Sequence, residues 1–332
     1  MKILPAIFFF AFIFSCNSSG SQNSENKDSL TVKKEATENK AKAFDTAAYR
    51  NQLTYIANGD TTGKWPVKER FVKEGAIFPF HRVVAFYGNL YSTKMGILGE
   101  LPKKEMLEKL QGEVAEWQKA DSNFKVMPAL HYIALTAQQG GDKKRLRMPF
   151  HQIDSIYNWA QEIGALTFLD VQVGWSTLEE ELPLLEKYLK LPTVHLGIDP
   201  EFSMKFGDLP GKRIGTYDAK DINYAVNFLA DIVKKYDLPP KVLVVHRFTQ
   251  GMVTNYQNIK MVPEVQVVMD MDGWGNKTLK RSTWLRYIYK EPVDYTGFKI
   301  FYKNDLKKES QGLYSPEELS KFTPRPVYIQ YQ

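Results

Sequence analysis

Acidic side chains stand in or just after several apolar stretches of this chain. Asp199 ends one stretch and Glu201 follows it. Asp170 lies in a second stretch, Asp270 lies in a third, and Asp272 follows that third stretch. Carboxyl groups transfer protons, attack electrophilic carbon and bind metal ions. Residues two apart in an extended strand share a face, so this spacing predicts that these five acids are catalytic and point into one site.

Pro200 separates Asp199 from Glu201 and leaves a second arrangement open. A turn at the proline would break the face that the two acids share in an extended chain. Asp199 would then pair with Asp170 or Asp270 across the fold, and Glu201 would belong to the loop that follows.

Eight short apolar segments, rich in Val, Ile, Leu and Phe, recur along the chain. This composition is typical of parallel strands that are buried on both faces. The segments are 83–87, 126–135, 166–173, 193–199, 242–248, 265–271, 298–302 and 327–331.

Segments with apolar residues at helical spacing lie between most of these strands, the longest of them over 219–236. Eight strands alternating with helices over about 250 residues predict an α/β fold, a single (β/α)8 barrel. The alternative is an open doubly wound sheet. It is disfavoured because no glycine-rich phosphate turn follows the first strand, where Tyr87-Gly88-Asn89-Leu90 stands.

Other polar and aromatic residues also fall near predicted strand ends. In a barrel of this kind the carboxyl ends of the strands meet at one mouth and carry the active site. We therefore expect a set of substrate-binding side chains there: Tyr87, His131, Gln172, His246, Arg247, Trp274, Lys299, Tyr302 and Gln330.

Glycoside hydrolysis is the chemistry that this set of residues favours most. It needs a protonated carboxyl group for the leaving oxygen and a second group at the anomeric carbon. Crowding Glu201 beside Asp199 and Asp270 or Asp272 would raise one pKa and keep a proton in place at neutral pH. Aromatic rings near the strand ends, such as Trp274, would stack on the faces of a sugar.

Two stretches resemble the chitinase-like and lysozyme-like barrel glycosidases. Asp199-Pro200-Glu201 resembles the Asp-x-Glu end of their fourth strand, and Met269-Asp270-Met271-Asp272 is similar to the Met-x-Tyr-Asp of the chitinase-like group. The resemblance implies that Glu201 is the general acid, Asp199 its partner and Asp272 a group that orients the substrate. The chain departs from the pattern at Val194 and Gly197, where that group has acids.

Two other functions fit the same residues. A divalent metal could be held by oxygen and imidazole ligands in a barrel hydrolase or isomerase, with His131, Asp170, Glu201, His246 and Asp270 as the candidates. No metal-binding motif supports that alternative, so no cofactor is expected on the first interpretation. The third possibility is a non-catalytic carbohydrate-binding protein of the cell surface.

The first 43 residues predict export and anchoring. Residues 1–15 carry Lys2 and an apolar run, as a signal peptide does. Ile13-Phe14-Ser15-Cys16 resembles the bacterial lipobox, which implies lipid on Cys16 and a place in the bacterial cell envelope, on the outer membrane or cell surface. Residues 16–43 are polar and predict a flexible tether.

Residues 44–332 form the predicted barrel domain, with 44–80 as a lead-in segment over one end. Cys16 is the only cysteine of the 332 residues, so the domain has neither a disulfide nor a cysteine nucleophile. The net charge of +6 is spread along the chain. A nucleic-acid partner is not expected, because such binding needs a concentrated basic surface.

Overall fold

The computed structural model describes residues 45–67, 72–307 and 309–332. The predicted signal peptide, Cys16 and the tether lie outside the described residues. Eight strands form the central sheet: β1 His81–Gly88, β2 Lys125–Ala137, β3 Leu166–Val171, β4 Val194–Ile198, β5 Lys241–Arg247, β6 Val265–Met271, β7 Tyr295–Ile300 and β8 Tyr328–Tyr331.

These eight strands close into a parallel barrel. Each strand pairs in parallel with the next along the chain, and β8 pairs with β1, for example Val84 with Ile329. The closed sheet confirms the predicted (β/α)8 barrel, and the open doubly wound alternative is wrong because that sheet would have two free edges.

Helices surround the barrel and fill most of the strand connections. The α-helices are α1 Thr46–Ala57, α2 Ile97–Glu100, α3 Lys103–Ala120, α4 Phe150–Glu162, α5 Leu178–Glu181, α6 Glu186–Leu189, α7 Ala219–Lys235, α8 Lys277–Thr283, which continues as the π-helix Trp284–Tyr289, and α9 Pro316–Leu319. Shorter pieces are the 3₁₀ turns Asp142–Lys144, Leu182–Leu185, Pro200–Phe202, Gln250–Met252 and Tyr256–Asn258 and the strands Arg145–Arg147, Tyr217–Asp218 and Val253–Thr254. No helix of the described residues is long and apolar enough to span a bilayer.

Helix α7 shows how local sequence fixes these elements. Asp218 and Asp221 form a capping box that satisfies the first free N–H groups of the helix. Ile222, Val226 and Leu229 then recur at helical spacing and bury one face against the barrel. Each such side chain contributes about 1.5–3 kcal/mol through its burial.

Side chains alternate along each strand between the helix layer and the barrel interior. The interior is apolar near the amino ends of the strands, where helix α1 packs against it. One hydrophobic cluster contains residues of helix α1 and of the barrel interior: Tyr49, Leu53, Ile56, Phe78, Val83, Ala85, Ala129, Phe168, Val244, Val268 and Tyr328. Toward the carboxyl ends the interior becomes polar and carries buried acids and histidines.

Two interior glycines leave space for this polar layer. A Cβ atom at Gly197 would lie 2.4 Å from His131 Nε2 and 2.5 Å from Asp170 Oδ1. A Cβ atom at Gly297 would lie 2.5 Å from Asp270 Oδ1. Any larger residue at either glycine must therefore displace a buried polar side chain.

Gly297→Ala should lower the free energy of unfolding by about 1–3 kcal/mol, because it overpacks the barrel interior. Gly112→Ala is the matched control, since that glycine lies in α3 with no neighbouring atom within 4 Å of its added Cβ. The control should gain about 0.5–1 kcal/mol from the better helix propensity of alanine. Urea unfolding followed by circular dichroism measures both, and a Gly297 variant as stable as the parent would contradict this packing.

Candidate active site

A cleft of about 550 Å³ opens at the carboxyl ends of the strands. Acidic, basic, amide and aromatic side chains line it. Those used below are Tyr87, Lys94, Gln172, Asp199, Glu201, Phe202, Phe248, Asp272, Trp274, Lys299 and Asn304. Seven of the predicted site residues are in this set, among them Tyr87 and Lys299, and they reach the cleft from several strands or the loops that follow them.

The chain turns directly after β4, so Asp199 and Glu201 do not lie on one extended strand. Pro200 begins a 3₁₀ turn, and the Asp199 carboxylate caps it by accepting a hydrogen bond from the Glu201 N–H at 3.0 Å. Both side chains nevertheless line the cleft, Asp199 buried and Glu201 half-buried. The cap fixes the turn that carries Glu201 to the cleft wall.

Asp170 is the centre of the buried polar layer beneath the cleft floor. Its Oδ2 accepts a hydrogen bond from the Tyr87 hydroxyl at 2.8 Å. Its Oδ1 lies 3.4 Å from His131 Nε2 and 3.4 Å from His246 Nε2. Burial acts to raise the pKa of Asp170, but the charge of His246 and the side-chain interaction with His131 outweigh it and hold the pKa well below its usual range.

His246 joins Asp170 to two further acids. On its other side, Nδ1 lies 3.1 Å from Asp272 Oδ2 and 3.4 Å from Asp270 Oδ2. Burial opposes a charge on this ring, yet the carboxylates of Asp170 and Asp272 raise the pKa of His246 well above its ordinary value. Burial also raises the pKa of Asp270, against the opposing effect of His246.

Lys299 supplies a further positive charge, at the cleft surface. Its ammonium group lies 3.0 Å from Asp272 Oδ1 and 3.9 Å from the centre of the Tyr87 ring. Burial acts to raise the pKa of Asp272, but Lys299 and His246 outweigh it and lower that pKa. Asp272 is therefore an ionised carboxylate at neutral pH.

Glu201 has the opposite electrostatic environment. Burial raises the pKa of its carboxyl group to about 7, the charge of Asp272 adds to the rise, and Lys299 and His246 oppose it. Burial also raises the pKa of Asp199 well above its ordinary value, with His246 opposing and Glu201 adding. The cleft thus presents an acid that holds a proton near neutral pH together with an ionised carboxylate.

His131 and Gln330 lie below the cleft floor, together with a residue that sequence reasoning missed. His131 Nδ1 is 2.5 Å from the Tyr328 hydroxyl and 2.9 Å from Gln330 Nε2. Burial lowers the pKa of His131 to about 4, so this ring is neutral at pH 7. Tyr328 precedes Gln330 by two positions in β8, and this spacing was the available signal that both face inward.

Two predicted substrate-binding residues lie outside the cleft. Arg247 pairs with Glu291 at 2.6 Å and donates to the backbone carbonyl groups of Thr249, in the loop after β5, and of Tyr287, in the π-helix. The Tyr302 hydroxyl donates to Glu113 at 2.6 Å, and its ring stacks on Tyr331 on the helix side of the barrel. Both side chains hold secondary structure in place around the site.

Of the remaining predicted residues, Gln172 and Trp274 border the cleft and three others lie beneath it. Gln172 donates to the Tyr87 hydroxyl at 3.3 Å and accepts from a backbone N–H of β2, which holds its amide in one orientation. Trp274 stands at the rim with 56% of its surface exposed. Asp170, Asp270 and His246 are fully buried and reach the cleft only through the side chains above them.

Comparison with known proteins adds little beyond this geometry. No family model and no curated protein matches the chain. Among solved structures, the chain is similar to the catalytic module of a family 98 glycoside hydrolase from Streptococcus pneumoniae TIGR4, solved in complex with the H-disaccharide blood group antigen. The sequence identity is 9% and the TM-score is 0.37. The match covers 76% of this chain and 46% of that chain, so this chain spans about half the length of that protein.

The two charges that flank Glu201 should move its pKa in opposite directions. Lys299→Met should raise the pKa above about 7, because the ionised carboxylate loses a stabilising cation. Asp272→Asn should lower it, because a repelling charge disappears. The titration of the Glu201 carboxyl carbon by nuclear magnetic resonance measures both shifts.

Lys303→Met is the control for this titration, since Lys303 follows the same strand but pairs with Glu100 at 2.6 Å. This substitution should leave the pKa of Glu201 unchanged. Shifts of the same sign in the Lys299 and Asp272 variants would contradict the arrangement of charges described above.

Proposed function

We propose that this barrel is a hydrolase of oligo- or polysaccharides in which Glu201 donates the proton to the leaving oxygen. One observation carries the proposal: Glu201 and Asp272 line the same cleft, and only Asp272 is paired with a lysine, Lys299. Two carboxyl groups in opposite environments form the acid and the charged partner that glycoside cleavage requires.

The two carboxyl groups divide the chemistry. Cleavage of a glycosidic bond leaves an alkoxide oxygen, which needs a proton as the bond breaks, and Glu201 supplies it. Positive charge develops at the anomeric carbon at the same time, and the ionised Asp272 stabilises that charge, attacks the carbon or activates water. Lys299 and His246 keep Asp272 in the ionised form.

The cleft walls support a carbohydrate as the ligand. Phe202, Phe248 and Trp274 place aromatic surface along the cleft, and such faces pack against the C–H faces of sugar rings. Lys94, Gln172 and Asn304 add donors and acceptors for hydroxyl groups at positions around the same opening. A volume of about 550 Å³ also lies within the usual range for small-ligand sites.

Glu201→Gln should reduce turnover of unactivated glycans by about 10²–10⁴-fold, because the amide cannot donate this proton. The loss should be smaller on dinitrophenyl glycosides, whose leaving group departs without a proton. Asp199→Asn should reduce turnover less than Glu201→Gln does, since asparagine keeps the cap at this turn. A glycan and chromogenic-glycoside screen measures these rates.

Glu179→Gln, on an exposed helix residue, is the matched control and should retain full activity. The parent enzyme should lose activity as the pH rises through about 7, since Glu201 then loses its proton. This loss of activity with rising pH should be absent from the Glu201→Gln variant. Full activity in the Glu201 variant would refute the assignment, and glycan binding without product over a long incubation would indicate a binding protein.

We also propose that lipid on Cys16 anchors the protein in the bacterial cell envelope. The order of Lys2, the apolar run 3–14, Ser15 and Cys16 supports this proposal, as does the polar stretch 17–43 that follows. A polysaccharide-cleaving barrel tethered in this way would act on material outside the cytoplasm.

Cys16→Ser should move the protein from the detergent phase to the aqueous phase in a Triton X-114 partition of expressing bacteria. The physical reason is the loss of the thiol that carries lipid and directs processing. Ser18→Ala should remain in the detergent phase, because it lies beyond the lipobox. Partition of the Cys16 variant with detergent would overturn the anchor.

A further inference from the structure

We infer that the barrel interior holds one divalent cation of the zinc type, ligated by His131 Nε2, Asp170 Oδ1 and His246 Nε2. These three atoms come from β2, β3 and β5 and lie within 4.8 Å of one another. All three side chains are fully buried. Two imidazoles and one carboxylate are a donor set that zinc and its neighbours in the first transition row favour.

The three atoms lack the partners that buried polar atoms normally have. Among the described residues, none forms a hydrogen bond of acceptable geometry with His131 Nε2, His246 Nε2 or Asp170 Oδ1. Both rings approach the carboxylate to 3.4 Å, which is longer than a good N–H···O bond. Three orphaned atoms that face one another indicate a ligand shared between them.

Two of the three spacings between the ligand atoms also match a metal centre. Ligand atoms about 2.0–2.2 Å from a tetrahedral zinc ion lie roughly 3.3–3.6 Å apart. The two nitrogen-to-oxygen distances of 3.4 Å fall in that range. The absent side chain of Gly197 leaves room beside the same atoms, since its Cβ would lie 2.4 Å from His131 Nε2 and 2.5 Å from Asp170 Oδ1.

Two of the three ligand residues are hydrogen-bonded through their other polar atom, and the third faces two carboxylates. His131 Nδ1 contacts the Tyr328 hydroxyl, Asp170 Oδ2 accepts from the Tyr87 hydroxyl, and His246 Nδ1 faces the Asp272 and Asp270 carboxylates. Such outer partners fix the ring orientation and raise the basicity of metal-binding histidines. A carboxylate–histidine pair of this kind is typical of zinc sites.

The charge of the layer favours the same conclusion. Asp170, Asp270 and Asp272 are buried together, and Lys299 pairs with Asp272 alone among them. A divalent cation would offset the excess of negative charge and take the place of a proton on His246, because metal ligation uses the neutral ring. The ion would lie directly beneath the cleft floor formed by Tyr87 and Asp272. This site does not depend on the proposed proton donor, Glu201.

The test is zinc binding by the purified protein after chelation and dialysis. Calorimetric titration with zinc chloride should give one ion per chain, and bound zinc should raise the thermal midpoint. Cobalt(II) in its place should give the visible absorption of a tetrahedral site. His131→Gln, Asp170→Asn and His246→Gln should each weaken zinc binding by more than about 100-fold, and Tyr328→Phe by about 10–100-fold.

His195→Gln is the matched control, because His195 is another buried barrel histidine whose Nδ1 accepts from a backbone N–H outside the cluster. It should retain zinc binding. Near-ultraviolet circular dichroism and the metal-free thermal midpoint show whether each variant is folded, and Asp170→Asn preserves the shape of the side chain. Zinc binding that survives in folded Asp170→Asn, or a parent protein that binds none, overturns the site.

The outcome is separable from that of the proposed function. A protein that binds zinc through these residues but cleaves no glycan would overturn the hydrolase and leave the metal site in place. A hydrolase that depends on Glu201 but binds no zinc would do the reverse.

Discussion

The structure depends on one constraint, which is that carboxylates buried inside a barrel must be compensated. An isolated buried carboxylate costs several kcal/mol. Here strand alternation turns Asp170, Asp270 and Asp272 into the interior. His246 lies between Asp170 and the other two, and Lys299 pairs with Asp272 at the surface of the cleft.

The barrel separates stability from chemistry along its axis. Near the amino ends of the strands, apolar side chains such as Val244 and Val268 fill the interior, and helix α1 packs against them. Near the carboxyl ends, the same strands carry the acids and histidines. This division is usual in barrel enzymes, where the carboxyl-end face carries the active site and the opposite face supports the fold.

The fold could be predicted from sequence because the apolar strand segment recurs eight times. An error in the bounds of one segment does not change the predicted fold. The acids were also predictable, since they stand in or just after apolar runs. Which face a residue occupies was harder to predict. His246 points inward, whereas Arg247, one position later, points to the loops outside. Tyr302 follows the end of β7 and turns toward α3. An error of one position moves a side chain to the other face of the strand.

Depth within the barrel could not be predicted either. His131 and Gln330 were expected to bind substrate, but they lie below the floor, because the register of the strands decides how high each residue stands. The turn after β4 depends on the Asp199 cap, which composition does not reveal. Tyr328 stands near the start of the segment 327–331, away from the carboxyl end of the strand where active-site residues are expected.

The two interior glycines also constrain how this protein can change over evolution. Gly197 and the His131–Asp170 pair occupy adjoining space, and so do Gly297 and Asp270. A side chain at either glycine requires a smaller or apolar residue at the neighbouring strand, so the positions can change only together. Among relatives with this barrel, we expect position 197 to covary with 131 and 170, and position 297 with 270. Gly197 contributes no side chain to this layer, and the central carboxylate comes from β3, at Asp170, and not from β4.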